Sequence, residues 1–239
     1  MKSASPEVEI PLTGAKWAAR SEAYAALIAE HLSPQTLWLD AGCGVRLLED
    51  DMDTLEDWLV THCGTIVGMD VSVASHRNIK FLVRGSLYEL PFADGSLDLI
   101  TCNMVVEHLD NPARALAEVA RCLRPGGAVV INTPNLLNYG MLGNAVASKV
   151  MPERWRLGLV HGADGREAGE VFPVRYRANT MPRLVQLLTA SGLKVYKAIG
   201  LRQQRPFWRK TKYLEKFLMK LTPISGLLIC AMNPRLATT

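Results

Sequence analysis

No stretch of this chain approaches the roughly 20 consecutive apolar residues that a membrane-spanning helix needs. The first fourteen residues, which include Pro6 and Pro11, contain no apolar core of the kind a signal peptide carries. The five cysteines, at 43, 63, 102, 122 and 230, form no C-x-x-C pair and are odd in number. Neither a zinc knuckle nor a complete disulfide framework is therefore expected, and a reducing, cytoplasmic setting is the simplest expectation. Internal repeats and low-complexity tracts are also lacking. A net charge of only +4 gives no general basis for binding nucleic acid. What remains is 239 residues, 49% of them apolar, enough to bury a good core. That length suggests one domain with additions over residues 1–239 rather than two independent domains.

The small net charge is unevenly placed. Arg202, Arg205, Arg209, Lys210, Lys212, Lys216 and Lys220 face a single acid, Glu215, so this segment alone carries +6 and the remainder −2. From 207 to 221 the apolar positions Phe207, Leu214, Phe217, Leu218 and Leu221 share one helical face, giving a basic amphipathic helix. Solvated lysines are the ordinary meaning of such a helix; peripheral contact with a membrane surface is the alternative. Elsewhere, strand-like and helix-like segments alternate from about residue 15, the signature of an α/β sheet with crossover helices. The spacing predicts an N-terminal helix over 15–31 and strands over 37–40, 65–70, 80–83, 98–102, 128–132, 193–199 and 226–232. In the acid-rich stretch 49–57, Thr54 and Asp57 have capping-box spacing ahead of a short helix. Asn111 caps a helix with Pro112 in its first turn, and Pro125-Gly126-Gly127 ends it before the next strand. Thr180 caps a helix that Gly192 stops. Residues 133–178, rich in Gly, Pro and Arg and poorly periodic, read as a lid-like insertion over the carboxyl edge of the sheet.

Two strand ends carry the functional signal. Asp40-Ala41-Gly42-Cys43-Gly44 closes the apolar run Leu37-Trp38-Leu39, and Gly68-Met69-Asp70 closes Thr65-Ile66-Val67. A glycine-rich turn lets a ligand approach bare backbone, and an acid ending the neighbouring strand can grip a ribose diol. A dinucleotide fold needs a third glycine where Leu47 stands. Asp40 would repel a pyrophosphate but suits an ammonium or sulfonium, which favours S-adenosylmethionine over NAD.

With Leu90-Pro91-Phe92 and Asp98, Val106-Glu107-His108-Leu109 and Pro112, and Leu123-Arg124-Pro125-Gly126-Gly127 added in order, the chain resembles the class I S-adenosylmethionine-dependent methyltransferases over nearly its whole length. The resemblance implies a Rossmann-like, seven-stranded, mostly parallel sheet with helices on both faces and the last strand antiparallel. S-adenosyl-L-methionine would lie across the carboxyl ends of the first strands. Gly42 and Gly44 would pass under its methionine part, Asp40 would stand near the ammonium, Asp70 at the ribose and Val71 on the adenine. Ser86, Leu87 and Asn103 complete the candidate cofactor residues. Two departures stand out. Ser86 follows Gly85 where the family often has an acid, and Arg46 replaces a glycine, pointing either away from the ligand or over an anionic substrate. Ubiquinone-pathway O-methyltransferases look similar at Glu107-His108, but Met104 replaces the first acid of their Glu-x-x-Glu-His cation site, so no metal is expected.

Methyl transfer to a hydroxyl needs a base, and His108 is the candidate; its alternative is a structural histidine that ties down the loop. His161 is a second, weaker candidate. Asn103 could contact the cofactor amine or cap the turn that follows it. The Asn/Asp-Pro-Pro-aromatic motif of methyltransferases that modify DNA bases is absent, so no nucleic acid partner is expected. Arg154, Arg156, Arg166, Arg175 and Arg177 are either surface residues or receivers of a substrate phosphate or carboxylate. The expected activity is O-methylation of a small molecule, a sugar or glycan precursor, or a lipid-linked acceptor. The alternatives are N- or C-methylation, and a non-catalytic binding module of the same fold.

Overall fold

A computed structural model describes residues 18–49, 51–72, 75–143, 173–202 and 212–234. Seven strands form one sheet: β1 (Leu37–Ala41), β2 (Thr65–Asp70), β3 (Phe81–Arg84), β4 (Leu97–Asn103), β5 (Leu123–Pro134), β6 (Lys194–Arg202) and β7 (Ile224–Met232). Their order across the sheet is β3-β2-β1-β4-β5-β7-β6, with β7 antiparallel to both its neighbours and every other pairing parallel. Among the described residues, the helices that accompany them include α1 (Ala18–Ala29), α2 (Asp53–Thr61), α3 (Pro112–Cys122), α4 (Met181–Ala190) and α5 (Lys212–Leu221). A 3-10 turn spans Val106–His108.

Alternation along the strands divides the core in two, as a sheet covered on both faces requires. Trp38, Leu99, Val130 and Leu228 pack with Tyr24 and Ile28 of α1 and Leu55 and Leu59 of α2. Leu39, Ile100, Ile131 and Ile229 pack with Leu116 and Val119 of α3 and Leu184 and Leu188 of α4. Asp98 ties the start of the central pair: its carboxylate accepts from the Leu37 N–H at 2.7 Å and pairs with Arg124.

Several local expectations hold. Asn111 Oδ1 accepts from the Arg114 N–H, with Pro112 beginning α3. Gly192 adopts φ +85° after α4. Others are corrected. Thr54 lies inside α2, whose N-cap is Met52 with no side-chain bond. Thr180 occupies the N-cap of α4, also without one. Pro125-Gly126-Gly127 lies inside β5 rather than before it, because α3 ends at Cys122 and the chain extends at once. There Gly126 takes φ +77°, and a Cβ on Gly127 would come within 2.9 Å of the Leu97 carbonyl oxygen. The expected helix over 207–221 is described from Lys212, and 207–211 lie outside the described residues. Of the expected insertion, 144–172 lie outside them too. Its end, 173–178, folds back on the 3-10 turn, where the Glu107 carbonyl accepts from the Arg175 and Tyr176 N–H groups.

The acids between 49 and 57 have a structural task. Glu56 is fully buried, and its Oε2 accepts from the backbone N–H groups of Leu47 and Leu48 at 3.1 and 2.9 Å. Arg77 reaches its Oε1 and pairs with Asp57 and Asp53. The loop that leaves the glycine turn is thus bound from behind by a carboxylate, a charge-assisted arrangement stronger than neutral hydrogen bonds.

Candidate active site at the carboxyl edge of the sheet

Level register brings the ends of β1 and β2 together, with Asp40 beside Gly68 and Ala41 beside Met69. The Gly42 and Cys43 N–H groups both donate to the Met69 carbonyl, at 2.7 and 3.1 Å. Asp70 closes the arrangement: one carboxylate oxygen accepts from the Gly44 N–H at 3.1 Å and the other from the Ser72 N–H at 3.0 Å. Both glycines are conformationally required, at φ +80° and +52°. A Cβ on Gly42 would meet Val105 at 2.3 Å, whereas one on Gly44 would meet nothing within 4 Å. The turn is therefore packed below at Gly42 and open above at Gly44. Val71, 47% exposed, lies just beyond Asp70.

Asp40 lies beneath this turn. It is buried, faces Thr101 across the β1–β4 ladder, and accepts the Thr101 hydroxyl proton at 2.6 Å, while Trp38 Nε1 donates to the same Thr101 oxygen. Burial pushes the Asp40 carboxyl up to about 7 against the opposing pull of the Thr101 hydrogen bond. Arg46 holds Asp53 through both terminal nitrogens, at 3.0 and 2.9 Å. Ser86 shapes a tight turn in which its Oγ accepts from the Tyr88 N–H and its carbonyl from the Glu89 N–H; Leu87 is buried beside it.

Across the edge, Met104 adopts φ +57° directly after β4, an uncommon conformation for a side chain of that kind and one that clusters at functional sites. Asn103 is held on both sides: its Nδ2 donates to the Leu47 carbonyl and its Oδ1 accepts from Asn132 Nδ2 at 2.8 Å. It does not cap the turn through its side chain. Glu107 is buried, with Oε2 accepting from Thr133 Oγ1 at 3.0 Å, and burial raises its carboxyl. His108 Nδ1 donates to the Pro173 carbonyl at 3.2 Å. Arg175 and Arg177 pair with Asp110. His161, Arg154, Arg156 and Arg166 lie outside the described residues. Among the described residues, no group of three or more His, Cys, Asp or Glu side chains could hold a metal ion.

Sequence reasoning missed Thr101, Glu56 and Arg20. The first two act on residues that motif spacing does identify. Arg20, from α1, reaches the Asn132 side chain across 112 positions of sequence. No local signal marks it.

Residues 39–131, from β1 through most of β5, match a family model described as a methyltransferase domain. Over these residues the chain carries a methyltransferase domain. Its sheet order and antiparallel last strand agree with solved methyltransferases. An S-adenosylmethionine-dependent methyltransferase from Mesorhizobium loti aligns with TM-score 0.56 at 17% identity, covering 90% of this chain and 98% of that one. Geranyl diphosphate C-methyltransferase from Streptomyces coelicolor aligns with TM-score 0.56 at 18% identity, covering 89% and 77%. In sequence, the chain is 27% identical over 146 residues to a probable S-adenosylmethionine-dependent methyltransferase of Mycolicibacterium smegmatis, 54% of each chain. It is 34% identical over 117 residues to demethylmenaquinone methyltransferase of Corynebacterium kroppenstedtii, 48% of this chain and 49% of that one. The chain spans between about a third and a half of the curated relatives it matches.

S-adenosylmethionine is the cofactor of this methyltransferase family, and the residues at the turn fit it. Open space above Gly44, an acid at the end of β2 and a buried carboxylate beneath suit a ligand with a diol and a positive charge. The Asp40 carboxyl also sets a pH test. Its folded value, near 7, lies above the unfolded value near 4, so the protonated form is favoured by folding. The cost of burying the charge is absent below about pH 4 and grows to its full size above about pH 7. Asp40→Asn is therefore expected to gain stability relative to the wild type between pH 5 and pH 8, by about 2–4 kcal/mol, in thermal denaturation at the two pH values. A stability difference independent of pH would show that the carboxyl is not the titrating group.

Proposed function

We propose that this protein transfers the methyl group of S-adenosylmethionine to a hydroxyl of a small molecule, a sugar or glycan precursor, or a lipid-linked acceptor. The observation that carries this reading is the open backbone above Gly44, bounded by Asp70 and lying on the same sheet edge as His108. Gly42 and Gly44 support the methionine part, Asp40 balances its positive charge, Asp70 binds the ribose hydroxyls, and Val71 covers the adenine with Ser86 and Leu87 beside it. Asn103 faces the cofactor amine from β4. The cofactor supplies a methyl group already activated on a sulfonium. The remaining task is to hold the acceptor oxygen in line and remove its proton, and positioning alone can contribute roughly 7–11 kcal/mol in favourable cases. His108 removes the proton: in the neutral ring, the Nδ1–H bond to Pro173 makes Nε2 the basic nitrogen.

The departures at Arg46 and Ser86 are what favours the alternative, a non-catalytic module of the same fold. The pairing of Arg46 with Asp53 speaks against that alternative. The Streptomyces neighbour is named for methylating carbon, so the acceptor atom is fixed by analysis of the product.

A peripheral membrane site is supported by α5. Phe217 and Leu221, four residues apart on one face, are 58% and 62% exposed, next to Lys220 in a segment rich in positive charge. An apolar face left bare beside lysines suits an anionic lipid surface. No helix among the described residues is long and apolar enough to cross a membrane.

Incubation with methyl-labelled S-adenosylmethionine and fractionated small-molecule and lipid extracts is expected to give an acceptor-dependent methylated product. His108→Ala should lower kcat by about 10²-fold or more without weakening S-adenosylhomocysteine binding. Unchanged kcat in that variant would remove His108 as the base, and absence of any product would favour the non-catalytic module. In co-sedimentation at low salt, phosphatidylglycerol vesicles should retain the wild type, and Phe217→Ser/Leu221→Ser should stay in the supernatant. Failure of the wild type to sediment would end the membrane reading.

A further inference from the structure

One cation at the sheet edge has no described carboxylate partner. Arg20 enters from the first turns of α1 and is half-buried. Its Nε donates to Asn132 Oδ1 at 3.0 Å, and its Nη2 donates to Met104 Sδ at 3.1 Å. Below the guanidinium lies Gly226 of β7, where a Cβ would come within 3.2 Å of Arg20 Cζ. These contacts come from the ends of β5, β4 and β7, so the guanidinium spans the part of the carboxyl edge left over by the glycine turn. All three are uncharged. Among the described residues no carboxylate lies within 4.0 Å of it; Glu107 and Glu49 act only through space, and burial lowers its affinity for a proton.

A guanidinium stays charged and offers five donors in a fork that matches carboxylate and phosphate oxygens. A charge taken partly out of water and given only an amide oxygen and a thioether is costly to keep there. An arginine whose task was to fasten α1 to the sheet would be satisfied more cheaply by one of the acids nearby. Asn132 further fixes its orientation, since its Nδ2 is committed to Asn103 Oδ1 and Asn103 in turn to the Leu47 carbonyl. The chain Arg20–Asn132–Asn103–Leu47 therefore runs from this cation to the loop behind the glycine turn.

We propose that Arg20 is an acceptor-binding residue that receives an oxyanion, carboxylate or phosphate, of the molecule to be methylated. This rests on the reading of the edge as a methyl-transfer site. The cofactor half of the edge, built on Asp40 and Asp70, is acidic, whereas Arg20 places a positive charge on the other half. An anionic acceptor is thereby directed to the ends of β4, β5 and β7 and away from the turn.

The test uses the full chain saturated with S-adenosylhomocysteine and labelled at the arginine side-chain nitrogens. Sodium phosphate or sodium acetate is titrated in at constant ionic strength while the Nε–H signals are followed by NMR. The Arg20 signal, recognised by its absence from Arg20→Gln or Arg20→Lys, is expected to shift saturably at millimolar concentration with one of the two probes, and the more effective probe identifies the anion. No shift, or a shift shared by exposed arginines, overturns the proposal. Separate calorimetry should show S-adenosylhomocysteine affinity in Arg20→Gln within twofold of wild type. A tenfold loss in a folded variant assigns Arg20 to the cofactor and also overturns the proposal. Failure of the wild type itself to bind S-adenosylhomocysteine counts instead against the methyl-transfer reading.

Discussion

Two backbone amides, those of Gly42 and Cys43, hang on one carbonyl, that of Met69, and the rest of the site depends on this hook. It forms because β1 and β2 end level with each other and because Gly42 can adopt a positive φ in a space that Val105 closes to any side chain. Once the hook is made, Gly44 faces outward and its N–H is within reach of Asp70. Glu56 then holds the departing loop from behind, so the turn is fixed from both sides before any ligand arrives. Such preorganisation reduces the ordering cost that binding would otherwise carry.

Charge is distributed along the edge in a consistent way. The acids nearest the turn, Asp40 and Asp70, favour a positively charged ligand, and the positive side chain of Arg46 is drawn off by Asp53. On the far side, buried Glu107 is tied to Thr133 and Thr133 to Asn179, linking the 3-10 turn, β5 and the segment before α4. His108 joins the same assembly through Pro173. The segment before α4 is therefore anchored to the residues that flank the candidate base, and movement of one would be felt by the other.

Much of this was legible in the sequence, because the strands are short apolar runs ended by glycine or acid and because alternation of strand and helix patterns limits the topology. The turn residues Gly42 and Gly44 and the acid Asp70 could be named for the same reason: their chemistry is local. What could not be read depends on pairings made by the fold. The acids from 49 to 57 resemble a solvated face, yet Glu56 is buried because two backbone amides eight and nine residues away need an acceptor. Thr54 has the right spacing for a cap but falls inside α2, since helix entry at Asp53 is set by packing of Leu55 and Leu59. Arg46 pairs with Asp53, a partner that motif spacing does not name. Thr101 and Arg20 act across 61 and 112 residues, distances at which no motif carries information.

The central claim is that the hooked turn and Asp70 form one cofactor site, and calorimetric titration with S-adenosylhomocysteine tests it most directly. The account predicts saturable 1:1 binding to the wild type and at least a tenfold loss in a folded Asp70→Ala variant. Equal affinity in the two proteins, or no binding to the wild type, would contradict it.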